Sequence, residues 1–101
     1  MKSFSELTQS ETPTLVDFYA DWCAPCKQMV PILQQVGVQF EDKVKVIKVD
    51  TDKNQSAATH YQIKSIPTML LFKNGEIVWR HSGTIPLQTL AAVLEQHIVS
   101  A

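Results

Sequence analysis

Cysteine and glycine are both scarce in this chain, at two and three residues of 101. Two cysteines cannot build the framework of a disulfide-rich secreted scaffold. Nor can they build a structural zinc site, which takes four ligands, because no second cysteine pair and no His-x-x-x-His completes the set. Three glycines and five prolines exclude collagen-like and low-complexity sequence. An excess of one charge is missing too. Nine lysines and arginines are interspersed with ten aspartates and glutamates, for a net charge of -1. Without a concentrated basic surface to neutralise phosphates, nucleic acid is not an expected partner. No apolar run is long enough to span a bilayer. The opening residues, Met1 to Gln9, hold no apolar stretch behind Lys2, so the chain is expected to be cytoplasmic and away from membranes.

What is present is an ordinary globular composition, 45% hydrophobic, at a length that fits one domain over residues 1–101. A domain of this size buries enough apolar surface to fold without a metal or a staple. Cys23 and Cys26 would in any case restrain the unfolded chain little, because the loop they close is so short. Chemistry, rather than stability, is the expected use of this pair.

The hydrophobic pattern alternates between strand and helix. A short helical segment is expected over Phe4 to Thr8. Leu15 to Ala20 is apolar on both alternating faces except at Asp17, the mark of a central strand covered on both sides. Cys26, Met29, Val30, Leu33, Val36 and Phe40 recur at helical spacing and predict a helix of about four turns. Val44 to Val49 reads as a second strand, parallel to the first because a helix connects them. Asn54 to Tyr61 reads as a short helix that Asp52 or Asn54 is placed to cap. Asn74-Gly75 then joins Thr68–Phe72 to Ile77–His81, and this dipeptide suits a hairpin turn with positive φ at both positions. Leu87, Leu90, Ala91, Leu94 and Ile98 line one face of a last helix over Leu87 to Val99, with Pro86 near its first turn. The expected fold class is α/β: a four-stranded mixed sheet, βαβ followed by ββα, flanked by helices on both faces.

Trp22-Cys23-Ala24-Pro25-Cys26-Lys27 falls where the first strand ends and the long helix begins. Two cysteines three apart on a helix have side chains close enough to form and release a disulfide. The first of them would lie beside unpaired backbone N–H groups and the positive end of the helix dipole. Both favour the thiolate, which is the reactive form. Pro25 is tolerated in a first helical turn, where its missing donor has no partner to lose. Asp17, in a doubly covered strand, bears a desolvation cost that raises its pKa. A locally solvated strand position is the other reading of that residue.

The segment from Val16 to Lys27 resembles the active-site segment of the thioredoxin family. Lys48 to Asn54, Ser65-Ile66-Pro67-Thr68, Phe72 to Gly75 and Ser82-Gly83-Thr84 are similar to that family's later motifs, at spacings that need no insertion. The resemblance covers Leu15 to the C-terminus. It implies a thioredoxin fold, here lacking the usual N-terminal strand because only about a dozen residues precede the first strand. It implies thiol–disulfide oxidoreductase activity that reduces protein disulfides, with Cys23 as nucleophile and Cys26 as resolving thiol. By the same resemblance Asp17 relays a proton to and from Cys26, Lys48 tunes Asp17, and Pro67 is a cis-proline facing the cysteines. Trp22, Ala24, Pro25, Ile66, Gly83 and Thr84 would contact substrate, although a simple bulge at a strand end also accounts for Gly83.

No bound cofactor or metal is implied. Electrons would come from NADPH through a thioredoxin reductase, and the partners would be that reductase and disulfide-containing proteins, met by a monomer. Two other readings stand beside this one: a disulfide oxidant or isomerase of the same fold, and a binding module that redox state switches. Three positions depart from the family pattern. Ala24 stands where glycine is commonest, Tyr19 where tryptophan is, and Thr51 where an apolar residue is.

Overall fold

The computed structural model describes Glu6 and residues 8–98. The short helix expected over residues 4–8 lies mostly outside them. Strand β1, Thr14–Tyr19, is buried from Thr14 through Phe18, as its two-sided apolar pattern requires. Next comes helix α1, Ala24–Gln39, which turns Cys26, Met29, Leu33 and Val36 inward. Strand β2, Lys45–Asp50, pairs parallel with β1 and sets Lys48 opposite Asp17. Helix α2, Gln55–His60, leads to strand β3, Thr68–Lys73, which runs antiparallel to β1. Strand β4, Glu76–Ser82, returns antiparallel to β3, and helix α3, Leu87–His97, closes the described chain. The strand order is β2-β1-β3-β4, a four-stranded mixed sheet. Each strand lies within about one residue of its sequence expectation.

Two apolar layers sandwich the sheet. On one face Leu15, Met69 and Leu71 pack with Met29, Leu33 and Val36 of α1 and with Leu90 and Leu94 of α3. On the other, Val16, Phe18, Leu70 and Phe72 pack with Ala57 of α2 and with Tyr61 and Ile63 beyond it. The period-2 alternation of β1 and β3 thus divides their side chains between the two layers. Asp17, between Leu15 and Tyr19 in that alternation, faces the α1 and α3 layer.

The hairpin turn takes φ of 55° at Asn74 and 80° at Gly75, both in the left-handed region as its sequence predicts. The register between β3 and β4 slips once. Leu71 pairs with Trp79 and Phe72 with Ile77, leaving Val78 as an extra residue on β4.

The start of α2 differs from expectation. Asn54 is its N-cap residue but makes no side-chain cap bond, and its Nδ2 instead donates to the Asp50 carbonyl at 2.9 Å. Asp52 does not cap the helix either. Asp50 instead holds the turn before the helix, its Oδ1 accepting from the backbone N–H groups of Asp52 and Lys53 at 2.9 and 3.3 Å. A strand-end carboxylate immediately before a turn can reach the N–H groups two and three residues on. Pro86 is the N-cap residue of α3, just outside its first turn, and that helix ends at His97 with Ile98 as its cap. Strand β2 is an edge among the described residues. Lys45 and Lys48 lie exposed along it, and such charges oppose the addition of another strand.

Candidate active site

The site begins where β1 gives way to α1. A tight turn brings the Cys23 N–H to the Ala20 carbonyl at 3.2 Å. Cys23 itself is extended, with φ -91° and ψ 109°, and stands as the N-cap residue of α1. Its carbonyl accepts the first helical bond, from the Lys27 N–H at 3.2 Å. Its sulfur takes the place that a serine or aspartate oxygen fills at other helix starts, accepting from the Cys26 N–H at 3.2 Å. No acidic side chain lies in the first turn of α1 to offset the positive end of the helix. Pro25 sits within that turn, where its lack of a donor costs nothing.

Cys23 and Cys26 are joined as a disulfide, with Cα atoms 5.2 Å apart. Both are buried, at 4% exposure each, with Ala20, Tyr19 and Ile66 packed against them. The Ile66 carbonyl oxygen lies 3.8 Å from Cys23 Sγ. It belongs to the segment ending in the Ile66–Pro67 bond, which is cis.

That segment is tied down on both sides. The Pro67 carbonyl accepts from the Gly83 N–H at 2.7 Å, and Gly83 has φ 96°, which a residue with a Cβ rarely adopts. Thr68 Oγ1 bonds the Ser65 carbonyl at 2.6 Å and meets Ser82 Oγ at 3.0 Å. Further back, the Arg80 guanidinium reaches from β4 to the Tyr61 and Gln62 carbonyls, both at 2.7 Å. These two carbonyls lie at the C-cap of α2 and just beyond it, where no helical donor remains for them.

Trp22 is 70% exposed beside the pair, and its Nε1 donates to Asp52 Oδ2 at 2.9 Å. The bond holds a large apolar ring upright in solvent. Between Trp22 and Ile66 runs a groove of about 200 Å³, also lined by Thr51, Ile63, Lys64 and Ser65. Of the expected substrate contacts, Ala24, Pro25 and Thr84 are exposed and Ile66 and Gly83 are half-buried, while the cis-proline Pro67 is buried. Thr51 turns inward, its Oγ1 donating to the Tyr19 carbonyl at 3.1 Å.

Behind the disulfide lies Asp17, 1% exposed, and neither carboxylate oxygen has a hydrogen-bond partner among the described residues. Burial pushes its carboxyl up to about 6, with the Lys48 ammonium across the strand pair pulling it part of the way back. A cavity of about 110 Å³ runs between Cys26 and Lys48, lined also by Tyr19, Ala20, Asp21, Lys27 and Val30. The structure therefore gathers Cys23, Cys26, Ile66 and Pro67 on one side and Asp17 and Lys48 behind them. His60, His81 and His97 take no part. His97 contacts a carbonyl one helical turn back, His81 stacks on Trp79, and His60 meets the Tyr61 ring edge-on. Sequence reasoning missed Asp52 as the partner of Trp22 and Arg80 as the partner of the Tyr61 and Gln62 carbonyls. No local signal marks either, since each acts on residues far along the chain.

A disulfide of this separation at a helix start, opposite a cis-proline and in front of a buried carboxylate, is equipped to exchange bonds with other disulfides. The comparisons agree with this chemistry. The family model described as Thioredoxin matches residues 1–96. The chain is 45% identical over 93 residues to Thioredoxin 1 of Synechococcus elongatus, a match covering 92% of this chain and 87% of that one. It is 45% identical over 97 residues to the thioredoxin of a Synechocystis species, covering 95% and 91%. In structure it resembles a mutant thioredoxin from Halobacterium salinarum with a TM-score of 0.88 and 32% identity, covering 96% of this chain and 84% of that one. Fold, cysteine pair and relatives converge: the chain belongs to the thioredoxin family and is a thiol–disulfide oxidoreductase.

Proposed function

We propose that this protein carries electrons from NADPH, through a thioredoxin reductase, to disulfides in cytoplasmic proteins, and that it does so as a monomer. The observation that carries the reading is the Cys26 N–H aimed at Cys23 Sγ at 3.2 Å, at the start of a helix with no acidic side chain in its first turn. Once the pair is reduced, that donor and the dipole favour the Cys23 thiolate.

The thiolate attacks one sulfur of a substrate disulfide. A Cys23–substrate bond forms as the substrate bond breaks, and the departing substrate sulfur takes up a proton. Cys26 then gives its proton to the Asp17 carboxylate and attacks Cys23 Sγ. The internal disulfide forms, and the second substrate sulfur leaves as a thiolate. Two electrons have passed to the substrate, and the protein is left in the oxidised state described above. With a carboxyl near 6, Asp17 is mostly ionised at neutral pH and ready to accept the proton. The cavity shared by Cys26 and Lys48 has room for a water to bridge the transfer. Trp22, Ile66 and the backbone beside Pro67 offer an apolar, strand-like seat for an extended substrate segment.

Reduction of insulin tests the proposal. With NADPH and a thioredoxin reductase present, adding the chain should make NADPH consumption dependent on insulin. If dithiothreitol drives insulin reduction through the chain while NADPH and the reductase do not, the proposed electron source is wrong. No acceleration from either donor would contradict the activity itself.

A further inference from the structure

Lys48 lies on the edge strand β2, where a lysine side chain can extend into water and keep its rotamer freedom. Lys48 is exposed there, yet its Nζ lies 4.6 Å from the centroid of the Tyr19 ring, within range of a cation–π contact. Tyr19 is placed firmly for this. Its carbonyl accepts from the Thr51 N–H at 2.8 Å and from Thr51 Oγ1 at 3.1 Å, and its ring packs against the Ala20, Cys23 and Cys26 cluster. Tyr19 and Lys48 then share the lining of the cavity that reaches Cys26. A lysine free to swing into solvent would be screened from the buried carboxylate opposite it.

We propose that Tyr19 is a positioning residue: its ring face holds the Lys48 ammonium at the mouth of the cavity, beside Asp17 and Cys26. The ring thereby sets how strongly Lys48 acts on the Asp17 carboxyl. Other charged and titratable groups stand on the elements around that carboxyl. They are Asp50 on β2, Cys26 and Lys27 on α1, Asp21 in the turn before it, and His81 on β4, one residue row beyond Met69. From α3, the apolar Leu90 and Leu94 pack on this face. Of these groups, Lys48 is the cation that stands directly opposite Asp17 in register. Its catalytic consequence rests on Asp17 serving as the proton acceptor for Cys26, but its effect on the Asp17 titration does not.

The test follows the Asp17 side-chain carboxyl by carbon NMR across pH in the oxidised chain. Tyr19→Leu should raise the midpoint by about half a pH unit, and Tyr19→Phe, which keeps the ring face, should leave it in place. In a Lys48→Met background, Tyr19→Leu should add no further shift. In the wild-type chain, which needs no variant to fold, the Lys48 ε-methylene protons should resonate upfield under the ring current. An unmoved midpoint in Tyr19→Leu, an equal shift without Lys48, or ε-protons at their random-coil position would overturn the inference. The pH profile of Cys23–Cys26 closure, read by stopped flow, should follow the NMR midpoint. If the midpoint moves as expected while that profile does not, Tyr19 still positions Lys48, and the proton relay through Asp17 is what fails.

Discussion

Cys23→Ser should abolish protein-disulfide reduction, lowering turnover by more than about 1000-fold, while the chain still folds. Serine can accept the same Cys26 N–H bond at the start of α1, so the cap is kept. What is lost is a sulfur that ionises near neutral pH and that can leave as readily as it attacks. Cys26→Ser should fail differently. The first exchange proceeds, but nothing displaces the substrate, so the protein stops as a stable mixed disulfide at Cys23. Mass spectrometry of the substrate reaction should find one adduct per chain in this variant and none in Cys23→Ser. Sustained turnover by either variant would separate the pair from the activity.

Asp17→Asn should change both stability and rate. The carboxyl has an ordinary value of 3.8 and titrates near 6 in the folded chain. Between those values the folded state holds a proton that the unfolded state has already released. Stability therefore falls as pH rises from about 4 to about 6, by about 3 kcal/mol, and stays at that lower level above the window. Asparagine has no such proton. Relative to wild type, the variant should gain about 3 kcal/mol between pH 4 and pH 7.5, measured by urea denaturation of the oxidised forms. Parallel pH dependence in the two proteins would mean that Asp17 is not held as described.

The same substitution should slow closure of the internal disulfide by about tenfold. That is less than a general base in direct contact with its proton contributes, because the proton crosses a water. The protein thus keeps a destabilising buried charge where its proposed chemistry uses one.

Much of this was legible in local pattern. The apolar run around Asp17, the helical spacing from Cys26 to Phe40 and the Asn74-Gly75 turn each depend on residues near in sequence, and each element formed close to where it was read. Placement of the cysteines at the start of α1 followed from the strand before them and Pro25 within. Other features join distant segments, and no period records them. Trp22 finds Asp52 thirty residues on, Arg80 ties α2 to β4, and Asp50 rather than Asn54 holds the turn before α2. The cis form of the Ile66–Pro67 bond was expected through family resemblance alone, since proline by itself favours trans. The contact between Tyr19 and Lys48 was also hidden, because it needs β1 and β2 side by side before the ring and the ammonium can meet.

The claim on which the account turns is that the sulfur capping α1 ionises more easily than an ordinary thiol. Alkylation of the reduced chain by iodoacetamide between about pH 5 and pH 10, with the modified residue mapped by mass spectrometry, measures this directly. Cys23 should react first, along a titration whose midpoint lies clearly below the value of about 8.5 for a free cysteine. Reaction at Cys26 first, or a midpoint at or above that of a free cysteine, would contradict it.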